Sequence, residues 1–209
     1  MIVSLELPPG ASLTEAYLAK RLKCGRTPLR EALQRLSQEY LVVSQPGRGI
    51  SIAGMDVVDL VELIEATALV GGTLASIATE RITDDQISEL EQVVDQAEAA
   101  DSQGDFLTVG ELDFRFHHII AEATRNRYLT DAVVRLQRLT MRFGWVVWRR
   151  RGTAGPSLME HRQIIAALKN RNAVDAGRLI SEHWHAAWNR MAPVLRGPVE
   201  SNSDKNIGS

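Results

Sequence analysis

The apolar positions change rhythm once along the chain. In "SLTEAYLAKRL", residues 12–22, Leu18 and Leu22 recur at helical spacing behind Thr14, a residue type that caps helix starts. "KCG" interrupts the pattern, with Gly25 placed to end that helix. "GRTPLREALQRL" then begins a second helix that runs to about Glu39. Thr27 is the expected N-cap and Pro28 the expected first helical residue, and Leu29, Leu33 and Leu36 form the apolar stripe. Two short β-type runs follow, "LVVSQ" and "GISIA", joined through Pro46-Gly47-Arg48-Gly49, which reads as a hairpin with an arginine at its tip.

From Met55 onward only long helical periods remain. Asp56 caps a helix expected to reach about Thr79, and "TDDQ" at 83–86 is a capping box that opens another to about Ala100. Further helices are expected over about Asp105–Thr124, Tyr128–Arg150, Ser157–Lys169 and Ala173–Met191. The pattern predicts a mostly α protein: a winged helix-turn-helix over residues 1–54, an all-α six-helix bundle over 55–195, and a disordered tail over 196–209. In a winged helix-turn-helix the second helix is the one that enters a major groove.

Charge sharpens this division. The net charge is −2, but residues 1–52 hold seven lysines and arginines against four acids, leaving the remainder acidic. A basic module on an acidic body suits a polyanion-binding unit carried by a separate scaffold. No run of about 18 uncharged apolar residues occurs, and no charged-then-apolar leader opens the chain, so a cytoplasmic protein without a membrane role is expected. The single cysteine, Cys24, fits a reducing compartment and is expected to pack as a small apolar residue.

Candidate chemistry lies in the helical half. Asp113 and His117 are four apart, which stacks them on one helix face, while His161 and His183 each follow a glutamate on later helices. Three helices of a bundle can bring this set together, and imidazole with carboxylate suits zinc, nickel, cobalt, manganese or iron. The same residues also read as surface or hydrogen-bonded histidines with an ordinary Asp–His helix pair. His118 and His185 point elsewhere on their helices. Trp145 and Trp148 with Arg149 to Arg151 end a helix, where cations favour the dipole and tryptophans fill cores.

With both halves read, the chain resembles the GntR family of bacterial transcription regulators, in particular the FadR-like subfamily with a helical FCD effector domain. "PPGASLTEAYLAKRLKCGRTPLREALQRLSQEYLVVSQPGRGISI" is similar to that family's winged helix, and "DFRFH", "RN", "EHRQIIAAL" and "SEHW" are similar to markers of the FCD domain. The resemblance implies a homodimer on a pseudo-palindromic operator, controlled by a small-molecule effector in the helical domain. It places Arg26, Thr27 and Arg30 at DNA on the recognition helix, and Gly47, Arg48 and Gly49 in the wing. It makes Asp113, His117, His161 and His183 the ligands of a divalent transition metal, zinc first, with open positions where carboxylate effectors bind. The expected function is a ligand-responsive repressor of a catabolic operon and not an enzyme. The alternative carried by three histidines and a carboxylate is a metalloenzyme acting on a small organic acid, with Glu160 or Glu182 as its base if either turns inward.

Four positions depart from the family pattern. Ala16 stands at an arginine place before the helix-turn-helix leucine, and Gly25 where a serine or threonine is usual. Thr67 and Gly71 replace the arginine and glutamate of the usual V-R-x-x-L-E opening of the helical domain, so an effector that is smaller, neutral or held by a different base is expected. Only "IVSLEL" follows Met1 before the Pro-Pro-Gly turn, so either the helix that relatives carry there is reduced to a stub or the true start lies upstream.

Overall fold

The computed structural model of the chain describes residues 1–45 and 49–196. The wing calls at Gly47 and Arg48 and almost all of the expected tail lie outside the described residues. The first unit contains β1 (Ser12–Leu13), α1 (Glu15–Leu22), α2 (Arg26–Gln38), β2 (Val42–Gln45) and β3 (Gly49–Ile52). The strands form an antiparallel sheet in the order β1-β3-β2, with Ser12 opposite Ser51 and Val43 opposite Ser51 on the other edge. Leu7, Leu18, Leu29, Val42, Ile50 and Ile52 make its core. Strand β1 is additional to the expected hairpin: a two-residue strand owes its existence to its partner rather than to its own sequence. Gly49 is required there, because it has φ +85° and a Cβ would lie 2.8 Å from the Leu13 carbonyl oxygen.

Thr14 caps α1 as expected, its hydroxyl accepting from the Tyr17 N–H at 3.2 Å. The turn to α2 corrects three expectations. Lys23, in the left-handed region at φ 51°, ends α1, and Gly25 is the N-cap of α2. Thr27 therefore lies inside the first turn and is not the cap. Pro28 is likewise the third residue of the helix and not the first; it still fits, because the first N–H groups of a helix have no intrahelical partner to lose. An N-cap glycine supplies no side-chain acceptor, so the serine or threonine usual in relatives would bring a cap as well as a hydroxyl.

Six helices make the second unit: α3 (Val57–Thr79), α4 (Asp84–Ser102), α5 (Phe106–Ala123), α6 (Arg127–Arg151), α7 (Gly155–Lys169) and α8 (Ala173–Arg196). Asp56 and the Thr83–Gln86 capping box start α3 and α4 where expected. Helix α8 continues past the expected stop at Met191 and through Pro193. Proline removes one backbone bond, but Met191 and Ala192 are buried and Val194 and Leu195 pack on the core, which holds the last turn in place. Leu60, Ile64, Leu90, Phe116, Ile164 and Leu168 lie at the centre of the bundle. Helix α3 has the length and composition of a membrane span, yet ten of its residues are buried in the bundle, including Leu60, Ile64 and Leu74. It crosses α8 closely, since a Cβ on Gly72 would stand 2.9 Å from the Gly177 carbonyl oxygen.

The two units touch through α6. Arg142, 2% exposed, donates from Nη2 to the Ala53 carbonyl oxygen at 2.6 Å, and Arg138 Nη1 pairs with Glu39 at 3.0 Å.

Candidate metal and effector centre

Asp113 and His117 project from α5 one turn apart, His161 from α7 and His183 from α8, and one ligand atom from each lies within 4.8 Å of all the others. All three histidines are buried. The rings are close-set, with centroids 4.8 Å apart for His161 and His183 and 5.2 Å for His117 and either partner. Phe116 stacks on His161 at 3.9 Å and Trp184 lies against His117 at 4.9 Å, so apolar rings fix the imidazole planes. His118 and His185 lie apart: the first faces Glu122, and Nδ1 of the second contacts the Ser181 carbonyl oxygen at 2.7 Å.

Three features of this cluster match a divalent cation. The Nε2 atoms of His117 and His161 are buried with no hydrogen-bond partner, which is costly unless something else occupies their lone pairs. Burial holds both imidazoles well below their ordinary pKa, with the nearby His183 adding to the effect, so both are neutral, the form that ligates metal. Asp113 carries the matching tension: burial pushes its carboxyl up to about 6 against the pull of His183 and Arg190. At 3.6 Å from Asp113 Oδ1, His161 Nε2 is too far away to hydrogen-bond with it.

Glu160 orients the fourth ligand. Its Oε2 accepts from His183 Nδ1 at 2.7 Å, which turns Nε2 of that ring toward the cluster. Arg190 grips the same carboxylate through two bonds of 2.6 and 2.8 Å and reaches Ser157 Oγ at 3.2 Å. Burial alone would raise the Glu160 carboxyl; the bonds from His183 and Arg190 outweigh it and hold it below the ordinary glutamate value. Glu160 thus turns inward as a held carboxylate, while Glu182 pairs with Arg178 on the surface. The "EH" dipeptide was the only sequence signal for this role, and Arg190 had none.

A cavity opens beside the cluster, walled by Asp113, His117 and His183 together with residues of α6 and α8. Thr67 and Gly71, the departures on α3, are both buried outside it. The Thr67 hydroxyl donates to the Leu63 carbonyl at 2.6 Å, and the space at Gly71 is filled by Ile180 and Trp184. Trp148 packs in the bundle and Arg149 lies 4.7 Å over the Trp145 ring, while the Trp145 Nε1 is buried without a hydrogen-bond partner among the described residues.

On the first unit, Arg26, Thr27 and Arg30 all stand exposed at the start of α2, and Ala16 is exposed on α1. Arg30 Nε donates to Glu15 at 2.8 Å, a solvent-exposed pair that leaves most of the guanidinium open. Gly49 opens β3 beside the wing.

A winged helix-turn-helix joined to a helical bundle with a polar cavity defines a ligand-responsive DNA-binding regulator. Residues 1–52 match the family described as bacterial regulatory proteins, gntR family, and residues 62–186 match the FCD domain. The Nta operon transcriptional regulator of Aminobacter aminovorans is 28% identical over 211 residues, spanning 100% of this chain and 98% of that protein. The transcriptional repressor GlaR of Escherichia coli is 27% identical over 191 residues, spanning 87% and 86%. E. coli McbR/YncC shares the fold, with a TM-score of 0.82 at 19% identity over 93% of this chain and 91% of that one. The chain belongs to the GntR family of bacterial regulators, with an FCD domain as its helical half. That membership decides between the two functions the histidines allowed, in favour of the regulator over the metalloenzyme.

Proposed function

We propose that the chain is a metal-assisted repressor: a cytoplasmic homodimer that binds operator DNA ahead of a catabolic operon and releases it when a small carboxylate enters the helical domain. The observation that carries this reading is the convergence of Asp113, His117, His161 and His183 on one buried point at the wall of a cavity. Zinc suits this donor set, as do nickel, manganese, cobalt and iron. A bound divalent cation supplies positive charge and open positions for a carboxylate, while Glu160 and Arg190 hold His183 in its ligating tautomer.

In the DNA-binding unit, Arg26 and Arg30 are one turn apart on the exposed face of α2, with Thr27 beside them, and Gly47, Arg48 and Gly49 are carried over from the family resemblance as DNA contacts. The test is anisotropy of DNA from the chain's own promoter region, titrated with salt, in zinc-loaded and chelator-treated protein. Arg30→Ala is expected to weaken operator binding by about 1 to 3 kcal/mol. Binding as tight and as selective as that of the parent would refute the assignment. Elemental analysis of untagged protein that finds no transition metal, before or after soaking, would remove the metal.

A further inference from the structure

The cavity beside the histidines holds a buried polar side chain with an atom that no described residue hydrogen-bonds. Gln137, on α6, is 5% exposed and lines the cavity, and its Oε1 has no hydrogen-bond partner among the described residues. The two ends of an amide exchange by a simple flip, so what is unmatched is one hydrogen-bonding position, a donor or an acceptor. A buried amide left in this state is unfavourable, and native structures keep few of them.

Apart from the histidine cluster, several polar groups of the wall are already engaged. The Thr140 hydroxyl donates to the Leu136 carbonyl at 2.9 Å, Thr153 donates to Asp101 at 2.8 Å, and Arg190 is committed to Glu160 and Ser157. Arg151 lines the cavity but stands exposed at its rim. The enclosed space is small, about 30 Å³, where roughly 10–15 Å³ of such volume holds one water. A ligand that fits must therefore be compact.

We propose that Gln137 is the specificity-determining residue of the effector site, and that the effector is a small carboxylate bearing a neutral hydrogen-bonding group, such as a hydroxyl, next to its charge. This rests on the reading of the cavity as an effector site. With the carboxylate at the histidine cluster, the neighbouring group comes to the Gln137 amide, which can both donate to it and accept from it. A site built around a hydrogen bond discriminates against the analogue that lacks the partner, because its own buried amide is then left unpaired.

The test is calorimetry of the zinc-loaded full chain with two ligand pairs that differ by one hydroxyl: glycolate against acetate, and lactate against propionate. The parent is expected to bind the hydroxylated member of a pair at least about tenfold more tightly, as hydrogen-bond discrimination of this kind gives. Gln137→Leu, and Gln137→Met as a second variant of similar volume, are expected to reduce that preference below about twofold, with the zinc content and the affinity for the plain acid unchanged. A parent that binds both members of each pair equally, or variants that keep the preference, would overturn the assignment of Gln137. A zinc-loaded parent that binds none of the four acids would overturn the effector-site reading itself, and this inference with it.

Discussion

Asp113→Asn isolates the stability cost of the candidate metal centre. In metal-free protein Asp113 is a buried carboxylate whose pKa stands at about 6 instead of the ordinary 3.8. A raised carboxyl pKa means that the folded state favours the protonated form. Its contribution to stability is complete below the unfolded-state value and is lost as pH rises through 6. Carrying the charge above pH 7 therefore costs the fold about 3 kcal/mol, from 1.36 kcal/mol per pH unit. An asparagine of the same shape removes that cost. In chelator, Asp113→Asn is expected to melt above the parent at pH 8 by about 6 to 12 °C, at about 2 to 4 °C per kcal/mol for a chain of this length. The gap should close by about pH 4, where the parent carboxyl is protonated. With zinc at a thousandfold excess over its dissociation constant, ligation adds about 4 kcal/mol to the parent and reverses the order. Differential scanning calorimetry over pH 4 to 8, with and without chelator, measures all four limbs. A variant that melts below the parent at pH 8 in chelator would show that Asp113 is stabilised in the folded protein by something other than metal.

Two further substitutions probe the supports of the site. Glu160→Gln keeps the shape of the side chain but removes the charge that His183 Nδ1 and Arg190 share. It is expected to lower zinc affinity by about 10- to 100-fold, measured by competition with a chromogenic chelator. Unchanged affinity would reduce Glu160 to a packing residue. Arg142→Met replaces a buried guanidinium whose pKa burial lowers and whose Nε has no partner. Stability is expected to stay within about 1 kcal/mol of the parent or to rise, as when buried charges yield to apolar groups. The difference in operator affinity between zinc-loaded and stripped protein is expected to fall below about twofold, read by anisotropy. A full zinc response would place the coupling elsewhere.

What the sequence made legible was local. Asp56, Thr83 and Gln86 cap helices through contacts two or three residues away, so α3 and α4 begin where their caps require. The Asp113 and His117 pair is likewise written in helical spacing. The misreading at Thr27 came from two rules competing over three residues: a threonine before a proline looks like a helix start. The backbone instead turned left-handed at Lys23 and extended at Gly25. Strand β1 and the role of Glu160 depend on partners far along the chain, with Glu160 bonding residues 23 and 30 positions away. No period or motif carries such a distance. The unmatched Gln137 amide could not be read either, because it is defined by what its neighbours fail to offer.

Helix α6 is where the two units are brought to bear on each other. Gln137, Met141, Gly144 and Trp148 recur at four-, three- and four-residue steps and line the cavity. Arg138 and Arg142 follow the same rhythm one residue on, which rotates them by about 100° around the axis and toward the winged helix. Any turn or slide of α6 made to accommodate a ligand at Gln137 thus moves the guanidinium that holds the Ala53 carbonyl and the one that holds Glu39. Glu39 is the C-cap of α2, whose first turn carries Arg26 and Arg30, and Ala53 leads from β3 into α3. An exposed ion pair such as Arg138–Glu39 adds little stability, and a buried arginine is often no better than an apolar residue. Their worth is in position: Arg138 ties the end of α2, and Arg142 the segment after β3, to a helix whose adjoining face is a cavity wall.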